Sequence, residues 1–245
     1  MITRIKKLNL IGWLLIIILC LLAVGPVQSQ TPEIGITLTW STDTYAPPGY
    51  SGKALPARGS VIETVANIDS RTINPEELDY QWFLNHRLQK AASGPGKQVF
   101  KFNIGNVINR EHSVKAEIRN IQGELLASSA YLSIEVRQPE IIFEAETTRL
   151  ESIDLTQRYL VSAEQEVNFR AIPYFFNIDQ IEELNFDWQI DEKKATQLDQ
   201  ENGSLFSLKV GQIAESIEKK ISLWVKNKNN PLQQSQAKAI VVFAP

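Results

Sequence analysis

Leu78-Asp79-Tyr80-Gln81-Trp82 and Leu184-Asn185-Phe186-Asp187-Trp188 stand 106 residues apart and share one pattern, an apolar residue at every second position ending on tryptophan. Period two is the mark of a strand buried on one face only. At the same offset, Val99-Phe100-Lys101-Phe102-Asn103-Ile104 is matched by Leu205-Phe206-Ser207-Leu208-Lys209-Val210. The offset also sets Ile36 on Ile142, Val61 on Val167 and Ile134 on Ile240. With a one-residue slip it pairs Val114, Ala116, Ile118 and Asn120 with Ile221, Leu223, Val225 and Asn227. A repeat of this length predicts two tandem domains, residues 34–137 and 140–245, joined at Arg137-Gln138-Pro139. So short a linker restricts the hinge.

Within each copy further strands alternate in the same way, as in Ile34, Ile36, Leu38 and Trp40, or Leu132, Ile134 and Val136. Turn residues separate them: Asn74-Pro75, Ser93-Gly94-Pro95-Gly96, Gln122-Gly123, Asn202-Gly203 and Asn229-Asn230-Pro231. Helical spacing is confined to single turns at Pro75 to Leu78 and Ile178 to Glu183, each just ahead of a tryptophan strand. The expected fold is therefore all-β, with about seven short strands per domain. Tyr80-x-Trp82 and Phe186-x-Trp188 resemble the central strand of immunoglobulin-like and polycystic-kidney-disease (PKD) repeat domains. That resemblance implies two tandem immunoglobulin-like β-sandwiches with each tryptophan packed between the sheets. The Gly-Asp-Gly turn of PKD repeats is replaced by Leu84-Asn85-His86 and Ile190-Asp191-Glu192. The loop from Thr42 to Pro56 is similar to one in exported proteins of small-genome bacteria.

Hydrophobic residues make up 43% and charged residues 22% of the 245, which argues against disorder. Three basic residues, Arg4, Lys6 and Lys7, precede the first acid, Glu33, so 22 basic residues face 28 acidic ones in the remainder. That remainder offers no basic face for nucleic acid. The basic start, the apolar run Leu8 to Val24 and a short polar exit make residues 1–29 an export signal, cleaved before Gln30, or an uncleaved N-terminal membrane anchor. Membrane contact is expected through this segment alone. The single cysteine, Cys20, lies in it, so the two domains stand without disulfides. A cysteine-free exported chain leans towards a bacterial source.

Candidate binding residues are few. Tyr45 and Tyr50 flank Ala46-Pro47-Pro48-Gly49, offering a partner rigid aromatic surface; alternatively the loop is a proline-stiffened crossing whose tyrosines cap the core. If Ile221, Leu223 and Val225 face inward, Trp224 faces outward with Ser222 and Lys226, as an interface residue would. Pro173-Tyr174-Phe175-Phe176 reads as cover for one end of a sandwich or as a sticky patch. The acids Asp179, Glu182, Glu183, Asp187, Asp191 and Glu192 lack the spacing of a calcium loop and read as solvated; Glu140, Glu144 and Glu146 near the junction read the same way. His86 and His112 are the only histidines and sit in no catalytic motif, so neither an enzyme nor a cofactor is expected. The expected role is a structural or protein-interaction module outside the cytoplasmic membrane, at the cell surface or secreted. Its partner is expected to be another envelope protein or a surface glycan. The alternatives are a carbohydrate-binding surface protein and a membrane-anchored accessory subunit of a pilus or secretion system.

Overall fold

The alternation around Trp82 and Trp188 becomes, in the computed structural model, two equivalent strands with both indoles fully buried. The structure describes residues 34–70, 73–105, 111–146, 151–154, 158–195 and 203–245; the export segment 1–29 and its cleavage point lie outside them. Among the described residues nine strands precede the linker: β1 (Gly35–Thr42), β2 (Val61–Asp69), β3 (Asp79–Leu84), β4 (Arg87–Leu88), β5 (Gly94–Pro95), β6 (Val99–Asn103), β7 (Glu111–Arg119), β8 (Leu125–Ser128) and β9 (Leu132–Glu135). Nine follow: β10 (Glu140–Glu146), β11 (Glu151–Asp154), β12 (Arg158–Ser162), β13 (Glu166–Tyr174), β14 (Leu184–Ile190), β15 (Lys193–Lys194), β16 (Leu205–Lys209), β17 (Ile217–Asn227) and β18 (Gln234–Ala244). The two single turns expected ahead of the tryptophan strands are short 3-10 turns, Pro75–Glu77 and Ile181–Glu183.

Each half is an immunoglobulin-like sandwich, and Gly35–Pro245 forms one compact unit. In the first, the sheet β1-β2-β6 packs on β4-β3-β7-β8, with β5 added to β3 and β9 to β7. In the second, β10-β13-β16 packs on β11-β12-β18-β17-β14-β15. Trp188 lies between the layers, stacked on Phe143 at 5.3 Å and Phe206 at 5.0 Å, and its indole N–H donates to the Gly203 carbonyl at 2.9 Å. Trp82 repeats the arrangement with Phe100 at 5.5 Å and the Lys97 carbonyl at 2.8 Å.

The repeat is less uniform than a single offset. Thr64 pairs with Phe100 as Phe169 pairs with Phe206, and Leu38 pairs with Ala66 as Phe143 pairs with Ala171. Ile62 therefore matches Val167, and the buried counterparts of Ile36 and Leu38 are Ile141 and Phe143, while Ile142 is 42% exposed. In the last strands Ile134 matches Val241, because His112↔Ile134 and Lys219↔Val241 occupy like places, and both Ile134 and Val241 are fully buried. The expected equivalences Ile36 to Ile142, Val61 to Val167 and Ile134 to Ile240 are thus each corrected by one residue. One residue gained or lost in a turn moves a whole strand to the other face, and burial then selects the neighbouring register.

The turn after each tryptophan strand explains the missing glycine motif. Asn85 and His86 adopt φ of 49° and 64°, and Asp191 and Glu192 adopt 48° and 68°, the left-handed pair of a two-residue hairpin. Asparagine and aspartate tolerate this backbone, and here each also clamps the neighbouring strand. The Asn85 side chain accepts from Ser113 N–H at 3.0 Å, and the Asp191 carboxylate from Lys220 N–H at 3.0 Å.

Candidate functional site

Strand β17 buries Ile221, Leu223, Val225 and Asn227 and turns Lys220, Trp224 and Lys226 to solvent. Trp224 keeps 45% of its surface exposed, on the outer side of the sheet as its neighbours require. Cross-strand pairing places it between Asp187 on β14 and Gln236 on β18, with Ser222 between Gln189 and Lys238. Gln189, Ser222, Trp224, Gln236 and Lys238, together with Glu192, Lys220 and Ile240, line a shallow groove of about 470 Å³. An aromatic face ringed by amides, a hydroxyl and charges of both signs can stack on a planar or apolar group and bind its polar periphery. Alternation along β17 already set Ser222 beside Trp224, whereas Gln189, Gln236 and Lys238 carry no sequence signal of their own and only the strand registers bring them there.

Tyr45 and Tyr50 are placed differently. Tyr45 packs against the core of the second sandwich, its N–H donating to the Phe176 carbonyl at 2.7 Å and its carbonyl accepting from Phe175 N–H at 2.8 Å. Tyr50 sets its ring edge-on to Tyr174 at 5.4 Å and Phe175 at 6.0 Å. The aromatic run at 174–176 thus meets the tyrosine loop, with Phe175 and Phe176 buried and Phe175 held at φ 62°. Nearby, the Arg58 carbonyl accepts from the side chains of Asn230 at 3.0 Å and Gln233 at 2.6 Å. The loop's aromatic contacts reach the other half of the same chain, while Tyr50 keeps 38% of its surface exposed. Trp40, at the edge of the first sandwich, carries the Lys53 ammonium 3.6 Å above its ring.

The acids around the second tryptophan strand are used locally. Glu183 accepts from Gln180 N–H and Asp179 N–H at 3.0 and 2.8 Å and from the Asn229 side chain at 2.7 Å, which holds its carboxyl below the usual range. Asp191 is lowered by the Lys219 ammonium at 2.7 Å and the Lys220 N–H. Among the described residues no group of three acids, histidines or cysteines is placed to hold a metal ion. No helix among them is long and apolar enough to cross a membrane.

The two histidines have packing roles. His86 lies against Tyr131 at 4.7 Å. His112 is buried beside Phe102, and the Asn85 amide approaches its Nδ1 at 3.4 Å, which leaves the proton on an Nε2 without a partner. Burial pushes its pKa down. Its contribution is therefore full above the unfolded value, about 6.5, and lost as pH falls from there through the lowered folded value. Between pH 7.5 and 5.0 the thermal midpoint of the wild type is expected to fall further than that of His112→Phe; equal falls would remove the effect.

No family model matches the chain, and no curated protein does. Among solved structures, three N-terminal domains of the highly immunogenic outer capsid protein (Hoc) of bacteriophage RB49 match 86% of this chain and 59% of theirs at 11% identity, with a TM-score of 0.45. SGBP-B of the Bacteroides ovatus mixed-linkage glucan utilization locus, solved with a heptasaccharide, matches 86% of this chain and 47% of its own at 10% identity and a TM-score of 0.25. A 282-residue C-terminal fragment of intimin, solved with the intimin-binding domain of its translocated receptor, matches 86% and 64% at 11% identity and a TM-score of 0.27. The chain spans less than two thirds of each.

Proposed function

We propose that this chain is an exported, non-enzymatic interaction module of a bacterial cell envelope. Its two domains, residues 34–137 and 140–245, brace each other and display the outer face of β17 to another envelope protein. The carrying observation is Trp224, a large aromatic side chain 45% exposed that lines a groove on a regular sheet, where its position is set by the strands beside it. Aromatic side chains centred in a polar rim are the residues on which protein interfaces concentrate their energy. Residues 1–29 act as export signal or anchor in this reading, and the histidines serve packing rather than chemistry. A surface glycan is the second reading, favoured by Gln189 and Gln236, whose planar amides stand where a stacked sugar would present hydroxyl groups.

A photo-crosslinker at Gln236 in intact envelopes identifies the protein that sits on this face, and the purified pair gives the affinity. Trp224→Ala is expected to weaken that pair by about 2 kcal/mol, near 30-fold, without altering the circular dichroism spectrum. Unchanged association would remove Trp224 from the interface. Trp224-dependent binding to oligosaccharides, with no crosslinked protein, would establish the glycan reading instead.

A further inference from the structure

The sheet that carries Trp224 leaves its charges unevenly matched. Asp191 binds the Lys219 ammonium at 2.7 Å, Glu218 binds the Arg158 guanidinium at 2.9 Å, and Asp187 lies 4.0 Å from the Lys194 ammonium. Lys226 and Lys238 meet no carboxylate among the described residues. Lys220 meets none directly, Asp191 sensing its charge only from beyond the Lys219 contact. All three lysines are exposed, and the one acid in the lining of the groove is Glu192. Three ammonium groups thus stand around Trp224 against one uncommitted carboxylate, on a chain whose net charge is −3.

Strand register fixes the spacing of these groups. Lys220, Ser222, Trp224 and Lys226 follow one another along one face of β17 at two-residue steps of about 6.8 Å. Lys238 stands opposite Ser222 and is the diagonal neighbour of both Lys220 and Trp224, about 7–8 Å from each. An extended polypeptide has the same two-residue step. Laid along β17 with one side chain on the indole, it brings the side chains two and four positions to one side over Lys238 and Lys220. The side chain two positions to the other side comes over Lys226.

We propose that the partner presents an extended acidic segment to this face, with an apolar residue on Trp224 and carboxylates at alternate positions on either side of it. The inference rests on the reading of the Trp224 face as a protein interface and adds the chemistry of what it receives. Exposed ion pairs contribute little affinity singly, but complementary charge steers encounter and rejects partners of the wrong sign. The indole, once covered, supplies most of the holding energy. A basic or neutral segment would leave three ammonium groups facing no counter-charge, and a basic one would add repulsion.

A fluorescent peptide Glu-Thr-Glu-Thr-Phe-Thr-Glu-Thr-Glu, titrated into the full chain at low ionic strength, is expected to bind saturably and to weaken as salt is added. Replacing its glutamates by glutamine is expected to weaken binding at least tenfold. Moving them to the odd positions, Thr-Glu-Thr-Glu-Phe-Glu-Thr-Glu-Thr, turns them away from the sheet and is expected to weaken it at least threefold. Lys220→Glu and Lys238→Glu, each checked for native circular dichroism, are expected to lose tenfold or more, whereas Lys209→Glu, exposed on β16 of the other sheet, leaves binding unchanged. No saturable binding, or equal binding by the glutamine peptide or the shifted one, overturns the proposal. Binding of an oligogalacturonate that both lysine variants abolish, with no peptide bound, overturns it in favour of an acidic glycan. The envelope protein crosslinked at Gln236 separates this inference from the reading beneath it. If Trp224→Ala weakens that pair and neither lysine variant does, the interface stands and the acidic segment falls; if none of the three weakens it, both fall.

Discussion

Trp188→Ala is expected to destabilise the second sandwich by about 3–5 kcal/mol, enough to leave a domain of this size partly unfolded at ambient temperature. The indole is wholly buried, and its two faces are covered by Phe143 and Phe206 at 5.3 and 5.0 Å, with Phe169 stacked on Phe206 at 6.3 Å. Truncation removes the middle of this run of rings, and two rings fixed on β10 and β16 cannot close the gap without moving their strands. The Gly203 carbonyl loses its donor as well. No disulfide crosses the sandwich to limit the damage, because the only cysteine of the chain is Cys20. Trp188→Phe retains part of the stack but not the hydrogen bond, and is expected to cost roughly half as much. Denaturant unfolding followed by circular dichroism measures both variants. A loss below about 1 kcal/mol for Trp188→Ala would show that the layers collapse onto the gap.

That core was legible in the sequence because it depends on period two and on tryptophans that recur at one spacing. The outward direction of Trp224 was legible for the same reason: three buried neighbours on one strand fix the face of the fourth. Register was legible only in part. Strands β1 and β2 differ from their counterparts by a turn residue, which self-comparison at a single offset cannot place, and an apolar residue such as Ile142 suits either face of a short strand. The hairpin pairs Asn85-His86 and Asp191-Glu192 stood out as a departure from a glycine motif, although the left-handed backbone they adopt and the strand they clamp depend on Ser113 and Lys220, far along the chain. The tyrosine loop was visible as an aromatic feature without its destination. Its partner at Phe175 and Phe176 is more than 120 residues away and is brought near by the packing of one sandwich on the other.

Gln233→Leu is expected to destabilise the second sandwich at the place where the first one meets it. Gln233 is fully buried, and its amide joins three segments: Nε2 donates to the Arg58 carbonyl at 2.6 Å, while Oε1 accepts from Asn177 N–H at 2.8 Å and from the Asn227 side chain at 2.9 Å. Leucine fills a similar volume but answers none of these groups. Asn227 keeps its bond to the Asn177 carbonyl and Arg58 keeps Asn230, so the principal orphan is the Asn177 N–H, beside the residues that hold Tyr45. One orphaned N–H and two weakened bonds place the cost at about 3 kcal/mol. Asn230→Ala, which removes one bond to the same carbonyl, is expected to cost about 1 kcal/mol. Two of the three lost bonds lie inside the second sandwich and one, to Arg58, crosses to the first, so the change is expected to lower the thermal midpoint of the second sandwich and to separate its transition from that of the first. The short linker, with Pro139 buried and Arg137 bonded to Pro56, limits how far the halves separate. A single transition at an unchanged midpoint would show that the tyrosine loop alone holds them. In that case Tyr45→Gly, which strips the aromatic contact but retains the backbone bonds, becomes the substitution that separates the halves.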